Sequence, residues 1–276
     1  MPRLAILALL LASAPAGASG LPTGTIELFQ SESRVLVMMR VGDGELVPMV
    51  FDTGSDGHSF DRLLIAQNRL KRVGETIEHD GTTGKRRTLP VYAIPDATIG
   101  GLHVGRIDGA GLDYDRSDAM GIISSEMFAG HLVALELGAN RARILPKGTG
   151  TTPTAPATPY QGGLPAVSVT MPDGSTLAAN LDTGFDGPIS LPVAMMGKVP
   201  LMAPAKVVGR FKSINTEGEV YGGQVRGTIA IGPLVLKDPE VTFLGEATNI
   251  GLPLMRKLTI MLDPAEKRGW VLSRLP

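Results

Sequence analysis

Apolar positions fall along this chain in short runs bounded by Gly, Asp or Pro, the pattern of β-strands joined by tight turns. The runs Arg34-Val35-Leu36-Val37-Met38-Met39-Arg40-Val41 and Ala166-Val167-Ser168-Val169-Thr170-Met171 read as strands. Each leads into a turn, Val41-Gly42-Asp43-Gly44-Glu45 or Met171-Pro172-Asp173-Gly174-Ser175. A second apolar run follows each turn, Val47-Pro48-Met49-Val50-Phe51 or Leu177-Ala178-Ala179-Asn180-Leu181. Two equivalent hairpins are therefore expected. Helical signals are few. Residues 61–71 carry Leu63, Leu64, Ala66 and Leu70 behind a candidate N-cap, Asp61. Ser124 or Ser125 is placed to cap a short helix through Phe128, and Leu252-Pro253 opens its counterpart, Pro being suited to a first helical turn. The expected fold class is all-β with a few short helices.

The second half repeats the first beyond these hairpins. Ile99-Gly100-Gly101-Leu102-His103-Val104 resembles Ile231-Gly232-Pro233-Leu234-Val235-Leu236. Ile122-Ile123-Ser124 matches Asn249-Ile250-Gly251, and Met127-Phe128 matches Leu254-Met255. Val133-Ala134-Leu135-Glu136 and Arg141-Ala142-Arg143-Ile144-Leu145 find partners in Ile260-Met261-Leu262-Asp263 and Arg268-Gly269-Trp270-Val271-Leu272. The blocks keep their order, which a tandem duplication explains. Residues 147–163 are rich in Gly, Thr and Pro, with little to bury, and read as a linker. It separates an N-terminal lobe, 19–146, from a C-terminal lobe, 164–276.

Residues 1–18 read as an export signal: Arg3, an apolar core from Leu4 to Leu11, and Ala16-Gly17-Ala18 with cleavage after Ala18. A periplasmic or secreted location follows as an expectation. The apolar core is too short to span a bilayer, and no later segment is long and apolar enough. The chain has no Cys, which excludes disulfides and thiol chemistry. A formal net charge of −1 with scattered Lys and Arg lacks the footprint of a nucleic-acid binder. Lys85-Arg86-Arg87 reads as a solvated hairpin. The histidines lack metal-ligand spacing, so neither metal nor cofactor is expected.

The chemistry lies in a repeated triplet. Asp52-Thr53-Gly54 and Asp182-Thr183-Gly184 each follow the second strand of a predicted hairpin, and Asp-Gly recurs beyond each at Asp56-Gly57 and Asp186-Gly187. An ordinary tight turn would also use Asp and Gly, but that reading leaves the matched later segments unexplained. With those segments the chain resembles two-lobed aspartic peptidases of the retropepsin and pepsin clan, in particular bacterial retropepsin-like proteins, over nearly all of the mature sequence. The resemblance implies a bilobal acid-protease fold with Asp52 and Asp182 as the catalytic pair. Thr53 and Thr183 match residues that cross-brace the two loops. Gly54 and Gly184 match positions where backbones approach closely. Ile122-Ile123-Ser124 and Asn249-Ile250-Gly251 match the packing segments. A peptide or protein substrate would lie extended between the lobes under a hairpin flap, for which 75–91 and 210–221 are the candidates. One chain supplies both half-sites, so a monomer is expected.

Two carboxylates held side by side cannot both ionise cheaply, so the pair keeps one proton and offers a base and an acid together. The loops differ at Ser55 and Phe185. A Ser55 hydroxyl can donate to Asp52, which predicts Asp52 as the more readily ionised member and Asp182 as the usual proton holder. His58 invites a Ser-His-Asp reading with Ser55 and Asp52, but that leaves the second triplet without a role. Asp56 and Asp186 suit turns or caps better than catalysis. From other classes come a peptide-binding module that kept the fold without the activity and, with less support, a carbohydrate hydrolase using paired carboxylates.

Overall fold

The computed structural model describes residues 23–79, 86–113, 118–148, 150–212 and 217–275. The expected export signal and the tips of both flap candidates, 80–85 and 213–216, lie outside the described residues. The chain is all-β and bilobal, built as three sheets of eight, nine and six strands.

Each half begins with the expected hairpin. Val35–Val41 pairs with Leu46–Phe51, placing Leu36 opposite Val50, and Ala166–Thr170 pairs with Thr176–Leu181, placing Ala166 opposite Asn180. Gly42 and Gly174 turn these hairpins at φ of 52° and 81°, a left-handed conformation that glycine adopts without Cβ strain. Val35, Val37 and Met39 are buried and alternate with less buried neighbours, as a sheet with one face on the core requires.

A later strand is then inserted beside each hairpin. Gly121–Ile123 runs parallel to Leu46–Phe51 and antiparallel to Ser59–Asp61. Asn249–Ile250 does the same between Thr176–Leu181 and Ile189–Leu191. The Asp-Thr-Gly turn of each half is thus held at the end of a strand whose neighbour arrives from far along the chain. Outside this unit each lobe carries a long hairpin, Lys71–His79 with the first part of Arg86–Ile99, and Lys206–Lys212 with Glu217–Gln224. Both have a register shift at equivalent places, between Arg72 and Gly74 and between Val207 and Gly209.

The six-stranded sheet joins the halves. Its central strands are His131–Glu136 and Thr259–Asp263, with Val133 opposite Leu262, and Arg141–Pro146 and Arg268–Leu272 flank them. Val133, Leu135, Ile260 and Leu262 enter the main core, while Leu132, Ala134, Met261 and Trp270 form a second cluster on the opposite face. The alternation of side chains along these strands lets one sheet close two apolar layers. Full burial of each large side chain contributes about 1.5–3 kcal/mol.

Part of the segment expected as a linker, 147–163, forms a strand. Thr158–Pro159 pairs with Arg268–Leu272 as the outer strand of the six-stranded sheet, equivalent to Gly24–Glu27 at the other edge. Tyr160 is buried, and the Trp270 indole donates to the Ala155 carbonyl at 2.9 Å. The edge position explains why Pro159 is tolerated in a ladder.

The helix expected over 61–71 is shorter, Arg62–Gln67, although Asp61 caps it by accepting the Leu63 N–H at 2.8 Å. Arg69 takes a φ of 50°, which ends the helix and redirects the chain into the strand starting at Lys71. Ser124 caps the 3-10 turn Ser125–Phe128, and Pro253 lies in the first turn of Leu252–Met255.

Candidate active site

The two Asp-Thr-Gly loops meet through a reciprocal set of hydrogen bonds. The Thr53 N–H donates to Thr183 Oγ1 at 3.0 Å, and the Thr183 N–H donates to Thr53 Oγ1 at 3.2 Å. Each hydroxyl then donates across to the opposite strand, Thr53 to the Leu181 carbonyl at 2.6 Å and Thr183 to the Phe51 carbonyl at 2.7 Å. Both threonines are fully buried, so these bonds form where no water competes.

The inserted strands fix the aspartates themselves. The Asp52 N–H donates to the Ile123 carbonyl at 2.9 Å and the Asp182 N–H to the Ile250 carbonyl at 3.0 Å. Each carboxylate accepts from its own loop, Asp52 from the Gly54 N–H and Asp182 from the Gly184 N–H, both at 2.8 Å. The place that a Gly184 Cβ would occupy lies 3.1 Å from Asp182 Oδ1 and 3.1 Å from Asp52 Oδ2. Both carboxylates therefore converge on one point. A Cβ on Gly54 would overlap the Asp182 carboxylate outright. Gly54→Ala is expected to push Asp182 out of place and lower any activity of the pair by about 100-fold. An unchanged far-ultraviolet circular dichroism spectrum would show that the fold survives, and full activity in this variant would contradict the close approach.

The electrostatics raise both carboxyls. Burial pushes the Asp52 carboxyl from 3.8 up to about 7, with the Asp182 charge adding to it and the Gly54 and Gly184 N–H groups opposing. Burial raises Asp182 as well, against the N–H groups of Gly184 and Phe185. The buried pair therefore shares a proton towards neutral pH, and the Asp182 charge is one of the causes that hold it at Asp52. The donor expected for Asp52 is engaged elsewhere: the Ser55 hydroxyl donates to the Gly57 carbonyl at 2.8 Å.

Phe185 folds back over its own loop, its ring crowding the sites where Gly187 and Gly251 would carry a Cβ. Glycine at 251 is required by this packing. The matching Ser124 instead uses its side chain, its hydroxyl donating to the Ser55 carbonyl at 2.7 Å. Asp56 and Asp186 are exposed at the loop edges. His58 lies against the first loop, where its Nδ1 accepts the Ser124 N–H at 3.1 Å. Its signal in the sequence was positional: it stands where the second loop has Pro188. Among the described residues no three His, Asp or Glu side chains gather as a metal ion would need.

No family model matches the chain, and a search of curated proteins finds no match.

Proposed function

We propose that this protein is an aspartic endopeptidase of the retropepsin-like type, exported to the periplasm or secreted, active as a monomer and needing no cofactor. The observation that carries the reading is the convergence of Asp52 and Asp182 on the Gly184 position beneath a buried, reciprocal threonine brace. In this chemistry charged Asp182 takes a proton from a water between the carboxyls, and protonated Asp52 donates to the scissile carbonyl oxygen as the tetrahedral species forms. No covalent intermediate is required. An extended peptide or protein segment between the lobes is the substrate class.

The proton assignment predicts the pH profile. Above about 7 Asp52 loses its proton, both carboxyls are charged and the acid is gone. Turnover should then fall on an alkaline limb with its midpoint near 7, about tenfold per pH unit beyond it. Stability follows the same group with a definite sign. A carboxyl whose folded value is raised above 3.8 binds its proton more tightly in the folded chain, so stability is greatest below 3.8 and is lost as pH rises towards about 7. Asp52→Asn should flatten that part of the curve. Digestion of a peptide library across acidic to neutral pH, read by mass spectrometry, tests the proposal.

One observation favours a second reading, a peptide-binding module with slow or no turnover: the Ser55 hydroxyl is turned to Gly57, which leaves Asp52 without a side-chain donor among the described residues. Saturable peptide binding with no cleavage at any pH would select it.

A further inference from the structure

The lobes differ in how they tie the inserted strand to the catalytic loop. In the second lobe the tie is all backbone: the Gly251 N–H donates to the Pro188 carbonyl at 3.1 Å and the Leu252 N–H to the Phe185 carbonyl at 3.0 Å. In the first lobe the carbonyl of His58, the counterpart of Pro188, is already engaged by the Ala110 N–H at 2.9 Å. The Ser124 N–H turns to the imidazole instead and donates to His58 Nδ1 at 3.1 Å, while the Ser124 hydroxyl takes the Ser55 carbonyl at 2.7 Å. Ser124 directly follows Ile123, whose carbonyl holds the Asp52 N–H at 2.9 Å. One residue therefore grips the Asp52 loop on both sides, and an ionisable side chain holds that residue.

Resting on the peptidase reading above, we infer that His58 is a positioning residue for Asp52, its neutral imidazole standing in for the backbone carbonyl of the other lobe, so that a proton on Nδ1 releases the first catalytic loop alone. The accepting nitrogen requires the tautomer with its hydrogen on Nε2. A protonated ring would set a donor against the Ser124 donor, and the buried N–H of Ser124 would lose its partner. Burial alone pushes the imidazole from 6.5 down to about 4. The titratable groups on the surrounding elements are Asp52 and Asp56 on its own loop, Asp61 on the following strand, Glu126 after Ser124, Asp108 on the strand of Ala110, and Asp182 across the dyad, and none of them is a cause of that shift. The clamp is therefore closed above about 4 and opens below it. The depressed value has the matching sign: the stability it contributes is present near neutral pH and is lost as pH falls through about 4. His58 would add loss of the clamp to the acid limb that protonation of Asp182 already imposes.

Two substitutions separate this role from a merely structural one. His58→Asn puts an amide oxygen near the Nδ1 position, which accepts at every pH. His58→Leu removes the acceptor. His58→Leu should lower kcat by about tenfold or more above about pH 4, with little change in KM, and the deficit should shrink below it. His58→Asn should restore kcat to within about threefold of the parent above about pH 4. A parental kcat in His58→Leu above about pH 4, or no rescue of kcat in His58→Asn, overturns the inference. An activity-independent measurement uses Asp52→Asn protein, with the Ser124 amide followed by nuclear magnetic resonance as pH is lowered. Its resonance should shift with a midpoint near that of the His58 ring, and adding His58→Asn should abolish the shift. A Ser124 amide that ignores the His58 titration overturns the clamp even in an active peptidase. A coupled titration in a protein that cleaves no peptide leaves the clamp standing and removes the peptidase reading.

Discussion

Asp52→Asn and Asp182→Asn should each, alone, reduce peptide cleavage by about 1000-fold or more, because each removes a different half of one proton-transfer device. The amide is close in size to the carboxyl, and its oxygen can still accept the N–H of Gly54 or Gly184 that the carboxylate accepted at 2.8 Å. The loops should keep their conformation, so lost activity would report lost chemistry. In the proposed mechanism Asp182→Asn would leave no base for the attacking water, and Asp52→Asn would leave no acid for the carbonyl oxygen. The two variants should differ in stability while sharing the loss of activity. Asp52 carries the proton at a cost that grows towards neutral pH, so Asp52→Asn should match or exceed the parent in thermal stability near pH 7. Steady-state kinetics with thermal melts of the same preparations checks both statements. Cleavage within about tenfold of the parent in either variant would show that the dyad is not the catalyst.

What the sequence made legible was what repeats. Two copies of a hairpin, an Asp-Thr-Gly turn and a later packing segment could be aligned, so the strands at Val35–Val41 and Ala166–Thr170 and the equivalence of Ile123 and Ile250 followed from one another, whereas the parallel strand pairing of those segments did not. Contacts that break the repeat were not legible. The Ser55 hydroxyl had both a carboxylate and a carbonyl within reach of its loop, and the acceptor two residues on, Gly57, holds it. Local side-chain to backbone bonds of this kind commonly prevail for Ser. The rise of both carboxyls comes first from burial, which depends on the packing of both lobes. Thr158–Pro159 escaped notice because a strand that short has no period, and composition spoke for a linker. The role of His58 depended on Ser124, sixty-six residues further on, and only the comparison with Pro188 exposes it.

Thr53→Val and Thr183→Val should each destabilise the fold by about 3 kcal/mol, a large effect for a substitution that preserves shape. Valine replaces the hydroxyl with a methyl group, and in Thr53→Val the Leu181 carbonyl loses its donor while the Thr183 N–H loses its acceptor. In Thr183→Val the Phe51 carbonyl and the Thr53 N–H are stranded in the same way. The hydroxyls sit in sites that exclude water, so solvent offers no substitute for either bond. Thr53→Ser is the control, since it restores the hydroxyl and gives up only a methyl group, about 1 kcal/mol. Urea titration should show the midpoint falling in the valine variants with little change in slope, and recovering most of the way in the serine variant. The double variant discriminates further. If the brace acts as one unit, losing the first threonine already loosens the loops, and the double variant should cost less than the two singles together. Additive losses would make the threonines two independent anchors, and a midpoint unmoved by Thr53→Val would mean that the lobes are held by the six-stranded sheet alone. The brace also ties stability to activity, because the same loops that bury Thr53 and Thr183 bring Asp52 and Asp182 together. The valine variants should accordingly lose kcat even under conditions where they remain fully folded.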